Sequence, residues 1–216
     1  MNDRSWFERP ASQRAKTAQL PPGIVADGAR RKILEASLRL FATEGFHAAS
    51  IRDIVRLAEL QASAVYAHFP SKEHILAELA RVGHEAHFNA LQAALLETGN
   101  DPVAQLRAFV QANAVLHASY PFVAIVVNAE MRALSDDLAG PALALRKQST
   151  ALLVQILERG IKMKRFDVPA LEVAAAAMGA MAIRIPYWYS PQGGLGVQEL
   201  ADAQATLALR MVGAAT

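Results

Sequence analysis

The chain has no cysteine among its 216 residues. Disulfides, thiolate metal sites and cysteine nucleophiles are therefore excluded, and a reducing compartment is permitted. Aromatic residues make up only 6% of the sequence, charged residues 19%, and the formal net charge is +2. Long apolar runs are missing as well. The longest nearly uncharged stretch, Val173–Ile183, has eleven residues, whereas a bilayer span needs about 20. The opening MNDRSWFERPASQ has no apolar h-region, so it does not read as a secretory signal. A soluble protein in the cytoplasm is expected, without membrane contact. Catalytic constellations are equally scarce. His84 and His87 stand three apart, without the His-Glu-x-x-His spacing or an evident third ligand, and read as a polar helix face. Gly193-Gly194-Leu195-Gly196 follows no strand, so it is not a dinucleotide loop, and no serine sits in a nucleophile-elbow context. The chain is not expected to be an enzyme, and no cofactor or metal is expected.

What is present is a large apolar fraction, 53%, arranged with helical period. Charge is uneven: residues 1–74 hold eleven Lys/Arg against eight Asp/Glu, and residues 75–216 eleven against twelve. This small asymmetry agrees with an N-terminal part that faces nucleic acid. Residues 1–25, with Pro10, Pro21, Pro22 and Gly23, read as a flexible tail made basic by Arg4, Arg9, Arg14 and Lys16. Such a tail is either a solvated leader or an arm that reaches phosphates.

From Asp27 the helix signals are continuous. Asp27 is read as the N-cap of a helix to about Thr43, with Ile33, Leu34, Leu38 and Phe41 on one face and Gly45 as its stop. Ser50 caps a second helix, with Asp53 completing an imperfect capping box. A short third helix covers residues 61–67 and ends before Pro70. Ser71 caps a long fourth helix, about 25 residues, ending near Gly99-Asn100. Further helices are expected from Asp101-Pro102 to Ala118, from Pro121 to Met131, from Asp136 to Gly160 with a break near Gly140-Pro141, over Val168–Tyr189, and over Val197–Val212. No alternating strand pattern and no repeat is found. The fold class is all-α with about nine helices, and residues 30–79 have the layout of a helix-turn-helix, a module that places one helix in the DNA major groove.

Several residues in this stretch carry a family resemblance: Ile33-Leu34, Ala36, Leu40-Phe41, Gly45-Phe46, Ser50-Ile51-Arg52-Asp53-Ile54, Ala58, Val65-Tyr66, and His68-Phe69-Pro70-Ser71-Lys72-Glu73 through Leu76. In this order they resemble the DNA-binding domain of tetracycline-repressor-like (TetR) regulators. The resemblance implies a DNA-binding domain at 26–72 and a ligand-binding and dimerisation domain at 73–216. It also implies a homodimer on a palindromic double-stranded operator, and a regulator, by default a repressor, released by a small effector. Glu59 departs from the family, which usually has glycine there, and Gln61 and Ser63 replace a frequent Ser and Gly.

The third helix presents Gln61, Ala62, Ser63 and Ala64. Gln pairs with adenine, Ser bonds donors or acceptors, and Ala touches a thymine methyl; without Arg or Lys, little guanine reading is expected. Ser50, Arg52, Tyr66, His68 and Lys72 flank it as expected DNA contacts. Dimerisation in the family uses the last two helices, which here points to Ala174, Ala177, Met178, Met181, Leu200, Leu207 and Met211. Between residues 84 and 188, polar and aromatic side chains exceed what a dry core needs. His84, His87, Phe88, Asn113, His117, Phe122, Asn128, Arg132, Met178, Met181, Arg184 and Trp188 are the candidate ligand residues. Asn128-Ala129-Glu130-Met131-Arg132, Gly160 with Arg165-Phe166, and Tyr187-Trp188-Tyr189-Ser190-Pro191-Gln192-Gly193-Gly194 resemble the branch that controls fatty-acid and steroid breakdown. That likeness implies an apolar or acyl-CoA thioester effector, with Arg132, Arg146 and Arg184 as candidate phosphate partners. The competing readings are a helical ligand-binding or protein-interaction protein that ignores DNA, and a helical enzyme.

Overall fold

The computed structural model describes residues 18–214. Among them are nine α-helices: α1 (Ala29–Glu44), α2 (Ile51–Ala58), α3 (Ala62–His68), α4 (Lys72–Leu96), α5 (Pro102–Ser119), α6 (Pro121–Ala129), α7 (Asp136–Lys162), α8 (Leu171–Trp188) and α9 (Val197–Met211). Two single 3-10 turns, Met131–Ala133 and Pro191–Gly193, complete the regular structure. The all-α expectation holds. The basic residues Arg4, Arg9, Arg14 and Lys16 lie outside the described residues.

The described residues form two compact units. One contains the residues up to Ala86 together with Tyr120–Leu145; the other contains His87–Ser119 together with the residues from Arg146 on. Helices α4 and α7 therefore contribute residues to both. This division falls elsewhere than the functional boundary expected at residue 72. The reason is apolar packing: Leu76, Leu79 and Val82 of α4 and Phe122, Val123, Val126 and Val127 of α6 join the same cluster as Ile33, Leu34, Leu38 and Phe41 of α1. Close approach of α4 and α6 rests on Gly83. A Cβ there would stand 2.7 Å from Val127 and 2.8 Å from Val123. In the second unit Leu106, Phe109 and Val110 of α5 pack with Leu153, Ile156 and Leu157 of α7 and Ala205, Ala208 and Leu209 of α9.

Four sequence expectations are corrected. Asp27 does not cap α1; Gly28 does, at φ 128°, and the Asp27 carboxylate only approaches Arg31 at 3.8 Å. The stretch expected as tail already folds at its end. Leu20 and Val25 are buried, and Arg31 donates to both of their carbonyls while Glu35 accepts from the Leu20 N–H. Their apolar area is covered by α1, so the chain is ordered before residue 26. Helix α7 is unbroken through Pro141. The proline removes only the one bond that residue 141 would donate to the Asp137 carbonyl, and the helix continues through it. The sixth helix stops at Ala129 rather than Met131, and the chain continues as a 3-10 turn.

Candidate functional site

The second and third helices meet through a turn that the backbone chemistry fixes. Glu59 adopts the left-handed conformation, φ 55° and ψ 45°. The Leu60 N–H reaches the Val55 carbonyl at 3.2 Å and the Glu59 N–H reaches that of Arg56 at 3.4 Å. This is the Schellman pattern, in which a left-handed residue caps orphan carbonyls. Glycine takes this conformation freely, whereas a side chain pays a steric penalty. Glu59→Gly is therefore expected to raise stability by about 0.5–1 kcal/mol, measured by urea denaturation; a loss of stability would mean that the glutamate side chain compensates its own strain.

At the other end of α2, Ser50 is a true N-cap: its Oγ accepts from the Asp53 N–H at 3.2 Å. Asp53 reaches back to the Ser50 backbone N–H, which helps to lower its carboxyl, and its carboxylate also accepts from the Ser50 hydroxyl and from Arg56, at 2.7 Å for the latter. The hydroxyl bond is the main cause that holds the Asp53 carboxyl below the usual carboxylate range. The Ser50 side chain is thus committed locally, while Arg52 is exposed.

Helix α3 starts one residue later than expected, at Ala62, with Gln61 at the N-cap and no side-chain cap bond. It is anchored by Val65, which is fully buried. Gln61, Ala62, Ser63, Tyr66, Ala67 and His68 are exposed and Ala64 is half-buried; Tyr66 is 56% exposed. The short helix therefore projects a surface of small and polar side chains from a single apolar root. Lys72 behaves differently from the sequence expectation of an outward-facing cation. Its Nζ donates to the carbonyls of Phe46 at 2.7 Å and Ala49 at 2.8 Å, and lies 4.3 Å from the centre of the Phe46 ring. It ties the start of α4 to the loop that delivers Ser50.

An ion-pair chain on the same unit was not read from the sequence. Arg30 of α1 donates to Glu78 of α4 at 2.8 Å, Arg81 bonds the same carboxylate at 2.9 Å, and Arg81 also bonds Glu85 at 2.6 Å. The Arg81 hydrogen bond is the main cause that holds the Glu78 carboxyl below its ordinary range. The i,i+3 and i,i+4 spacing of Glu78, Arg81 and Glu85 was legible; the pairing with Arg30 across 48 positions was not.

The candidate ligand residues are divided between the two units. Phe122 belongs to the core of the first unit and Met178 to that of the second. Asn128 donates to the Ala124 carbonyl one turn back at 2.8 Å. His84 is buried, Phe88 is half-buried and Arg132 is exposed. Within the second unit, Arg184 lies 4.5 Å from the centre of the Tyr187 ring, Trp188 meets Tyr189 edge to face, and Arg146 is exposed. One group of three candidates is brought together there. His87 Nε2 bonds Asn113 Oδ1 at 3.0 Å, His117 Nδ1 bonds the Asn113 carbonyl at 2.8 Å, and the two imidazoles meet edge to face at 5.7 Å. No cluster of three or more His, Asp or Glu residues able to hold a metal occurs among the described residues.

Helical phase divides the residues expected at the dimer face: Leu207 and Met211 are outward, whereas three others are not. Ala174 and Met178 of α8 and Leu200 of α9 are buried within the second unit. The outward stripe of α8 is instead Val173, Ala176 and Ala180, and that of α9 is Ala203, Leu207 and Met211, with Ala177 and Met181 half-buried at the edge. Successive positions at i, i+3 or i+4 define one face, and the small-residue run of α8 does not say which of its faces turns inward.

Comparison with known proteins accounts for most of the chain. Residues 33–79 match bacterial regulatory proteins of the tetR family, and residues 99–212 match the tetracyclin repressor-like C-terminal domain. The HTH-type transcriptional repressor KstR2 of Rhodococcus jostii (strain RHA1) is 27% identical over 185 residues, 84% of this chain and 90% of the relative. A bacterial regulatory protein in the tetR family from Rhodococcus RHA1 has a similar solved structure. Its TM-score is 0.82 at 28% identity, over 88% of this chain and 100% of that one. The structure of AibR in complex with isovaleryl coenzyme A and operator DNA shares the fold, with TM-score 0.76 and 20% identity over 87% of this chain and 100% of that one. This chain belongs to the tetR family of bacterial regulatory proteins and has a tetracyclin repressor-like C-terminal domain.

Proposed function

We propose that the protein is a cytoplasmic, homodimeric transcriptional repressor that leaves a palindromic operator when a small apolar or acyl-CoA-type effector binds. One observation carries the DNA reading: α3 follows a Schellman turn, is rooted by Val65 alone, and exposes Gln61, Ser63, Tyr66 and His68. A seven-residue helix with one buried side chain adds little to a core; as a reading head, its exposed face meets base edges. Gln61 and Ser63 supply base contacts, and Ala62, Ala64 and Ala67 supply methyl contacts. Tyr66, His68 and Arg52 face the phosphates. Lys72 acts as a positioning residue that holds the loop before Ser50. Residues 26–72 are the DNA-binding part and 73–216 the effector and dimer part.

Two reading heads on a dyad recognise half-sites about 34–36 Å apart, or a multiple. The outward stripe of Val173, Ala176, Ala180, Leu207 and Met211 supports pairing of two copies through α8 and α9. Helix α4 is continuous from Lys72 to Leu96 and has residues in both compact units, so it is the covalent route by which an effector changes the reading heads. The effector shifts this balance only by its differential affinity for the two states. That AibR was solved with isovaleryl coenzyme A and operator DNA supports an acyl-CoA as the first effector class to try.

The test is a gel shift on the DNA flanking the gene, repeated over a salt series and with added acyl-CoA. Binding is expected to weaken steeply with salt, as phosphate contacts require, and to be relieved by the effector. Tyr66→Ala is expected to reduce operator affinity by about tenfold while light scattering still reports a dimer. Wild-type affinity in that variant would remove Tyr66 from the interface, and indifference of the native protein to every duplex at low salt would remove the regulator.

A further inference from the structure

Three polar residues interrupt an otherwise apolar meeting of α4 and α5 in the second unit. His117 is 6% exposed and Asn113 is 7% exposed, one turn apart on α5; His87, on α4, is half-buried. Their hydrogen bonds fix the protons. The Asn113 carbonyl can only accept, so the bond from His117 Nδ1 at 2.8 Å means that Nδ1 carries the hydrogen. The Asn113 Oδ1 likewise only accepts, so His87 Nε2 is the protonated nitrogen of that ring. Each neutral imidazole then keeps one lone-pair nitrogen, His117 Nε2 and His87 Nδ1. Asn113 keeps both hydrogens of its amide.

The network is also uncharged. Burial, the largest cause, brings His117 down to about 4, and His87 adds to the effect. Burial lowers His87 too, against the bond that it donates to Asn113. No carboxylate or cation contributes to holding either ring. Polar residues placed this deep add nothing to the core that apolar residues of the same shape would not supply. Among the described residues the Asn113 amide hydrogens and the two imidazole lone pairs are left over from these bonds: the amide suits an oxygen that accepts, and the imidazoles one that donates.

We propose that His87, Asn113 and His117 form the polar end of the effector site and select an uncharged oxygen function, a hydroxyl or carbonyl, on an apolar body. A free carboxylate is rejected. Its charge would meet no cation, and its desolvation would go uncompensated. An ammonium is rejected for the same burial cost. This rests on the reading that the middle helices take an effector, and deepens it. An acyl thioester presents a neutral carbonyl where the corresponding acid presents a charge, so the cluster distinguishes the activated acyl chain from its free acid.

The test uses the full chain at pH 8, where both rings are neutral, and a matched series: 1-decanol, 2-decanone, decanoate, decylamine and decane. Affinity is read by calorimetry. Decanol and decanone are expected to bind at least about tenfold more tightly than decanoate, decylamine or decane, the order of one good buried hydrogen bond. Asn113→Leu, near-isosteric and free of a new polar demand, is expected to erase that preference and leave decane unaffected. His117→Phe serves as the second variant, with the same expectation. Equal binding across the native series, tighter binding of decanoate or decylamine, or an unchanged preference in both variants would overturn the assignment. A parallel gel shift separates the two levels: relief by decanoyl-CoA without any preference in the series sinks only this assignment, whereas absence of DNA binding sinks the regulator itself.

Discussion

Replacing Gly160 with alanine is expected to be among the most damaging single-methyl changes in the second unit. A Cβ at Gly160 would overlap Cδ2 and Cε2 of the Phe166 ring. Neither partner can easily withdraw. The Phe166 ring is buried, and its own N–H and that of Arg165 donate to the Gly160 carbonyl at 3.2 and 2.8 Å. The tight return between them depends on Lys164 at φ 55°. The methyl therefore overpacks a site pinned from both sides, and the cost is about 3 kcal/mol. For a chain of this size that lowers the melting temperature by roughly 6–12 °C. Differential scanning calorimetry measures it. Phe166→Leu added to Gly160→Ala should recover part of the loss, because the shorter side chain vacates the clash. An alanine variant that melts like the native protein would mean that α7 can end in another way.

The second large effect is expected at Lys72. In Lys72→Met the stem is kept and the ammonium is lost, so the Phe46 and Ala49 carbonyls lose their charged donor and the Phe46 ring loses its cation. Hydrogen bonds to charged groups contribute about 1.5–3 kcal/mol each, and the ring contact about 0.5–1 kcal/mol. Solvent reaches part of this site, so the expected loss is about 2 kcal/mol in urea denaturation. Operator affinity should fall with it, since the loop that presents Ser50 and the start of α2 is released. The salt series separates this from a phosphate contact. Loss of one contacted phosphate reduces the slope of log K against log salt by about 0.9, whereas loss of a positioning residue leaves the slope unchanged. An unchanged slope is expected. A slope reduced by a whole contact would return Lys72 to the DNA surface.

Much of the fold was legible in the residues because the signals are local. Gly45 ends α1 at φ 89°, with its N–H on the Phe41 carbonyl. Ser50 caps α2, and a 25-residue α4 follows from the spacing of Ile75, Leu76, Leu79 and Val82. Glu59 was placed at the tight turn by the family resemblance, and the structure gives it the left-handed conformation that the glycine of the family would take freely. Shortness and position gave α3 a small, polar outward face, and the structure adds Val65 as its buried root. The candidate site was legible in the same degree: the residues of the reading helix followed from position, while the partners of Lys72 and Arg30 lie 23 to 48 positions away and leave no periodic trace.

The amino-acid order by itself determined an all-helical chain with a helix-turn-helix near its start, since caps, turns and the 3.6-residue repeat act over a few neighbours. Only the tertiary structure decided which face of α8 turns outward, that Leu20 and Val25 pack against α1, that Lys72 grips two carbonyls, and that His87, Asn113 and His117 share one network. An alanine-rich helix is apolar on every side, and a lysine or histidine has several possible partners. Such choices are settled by what packs against them, and that depends on residues distant in sequence.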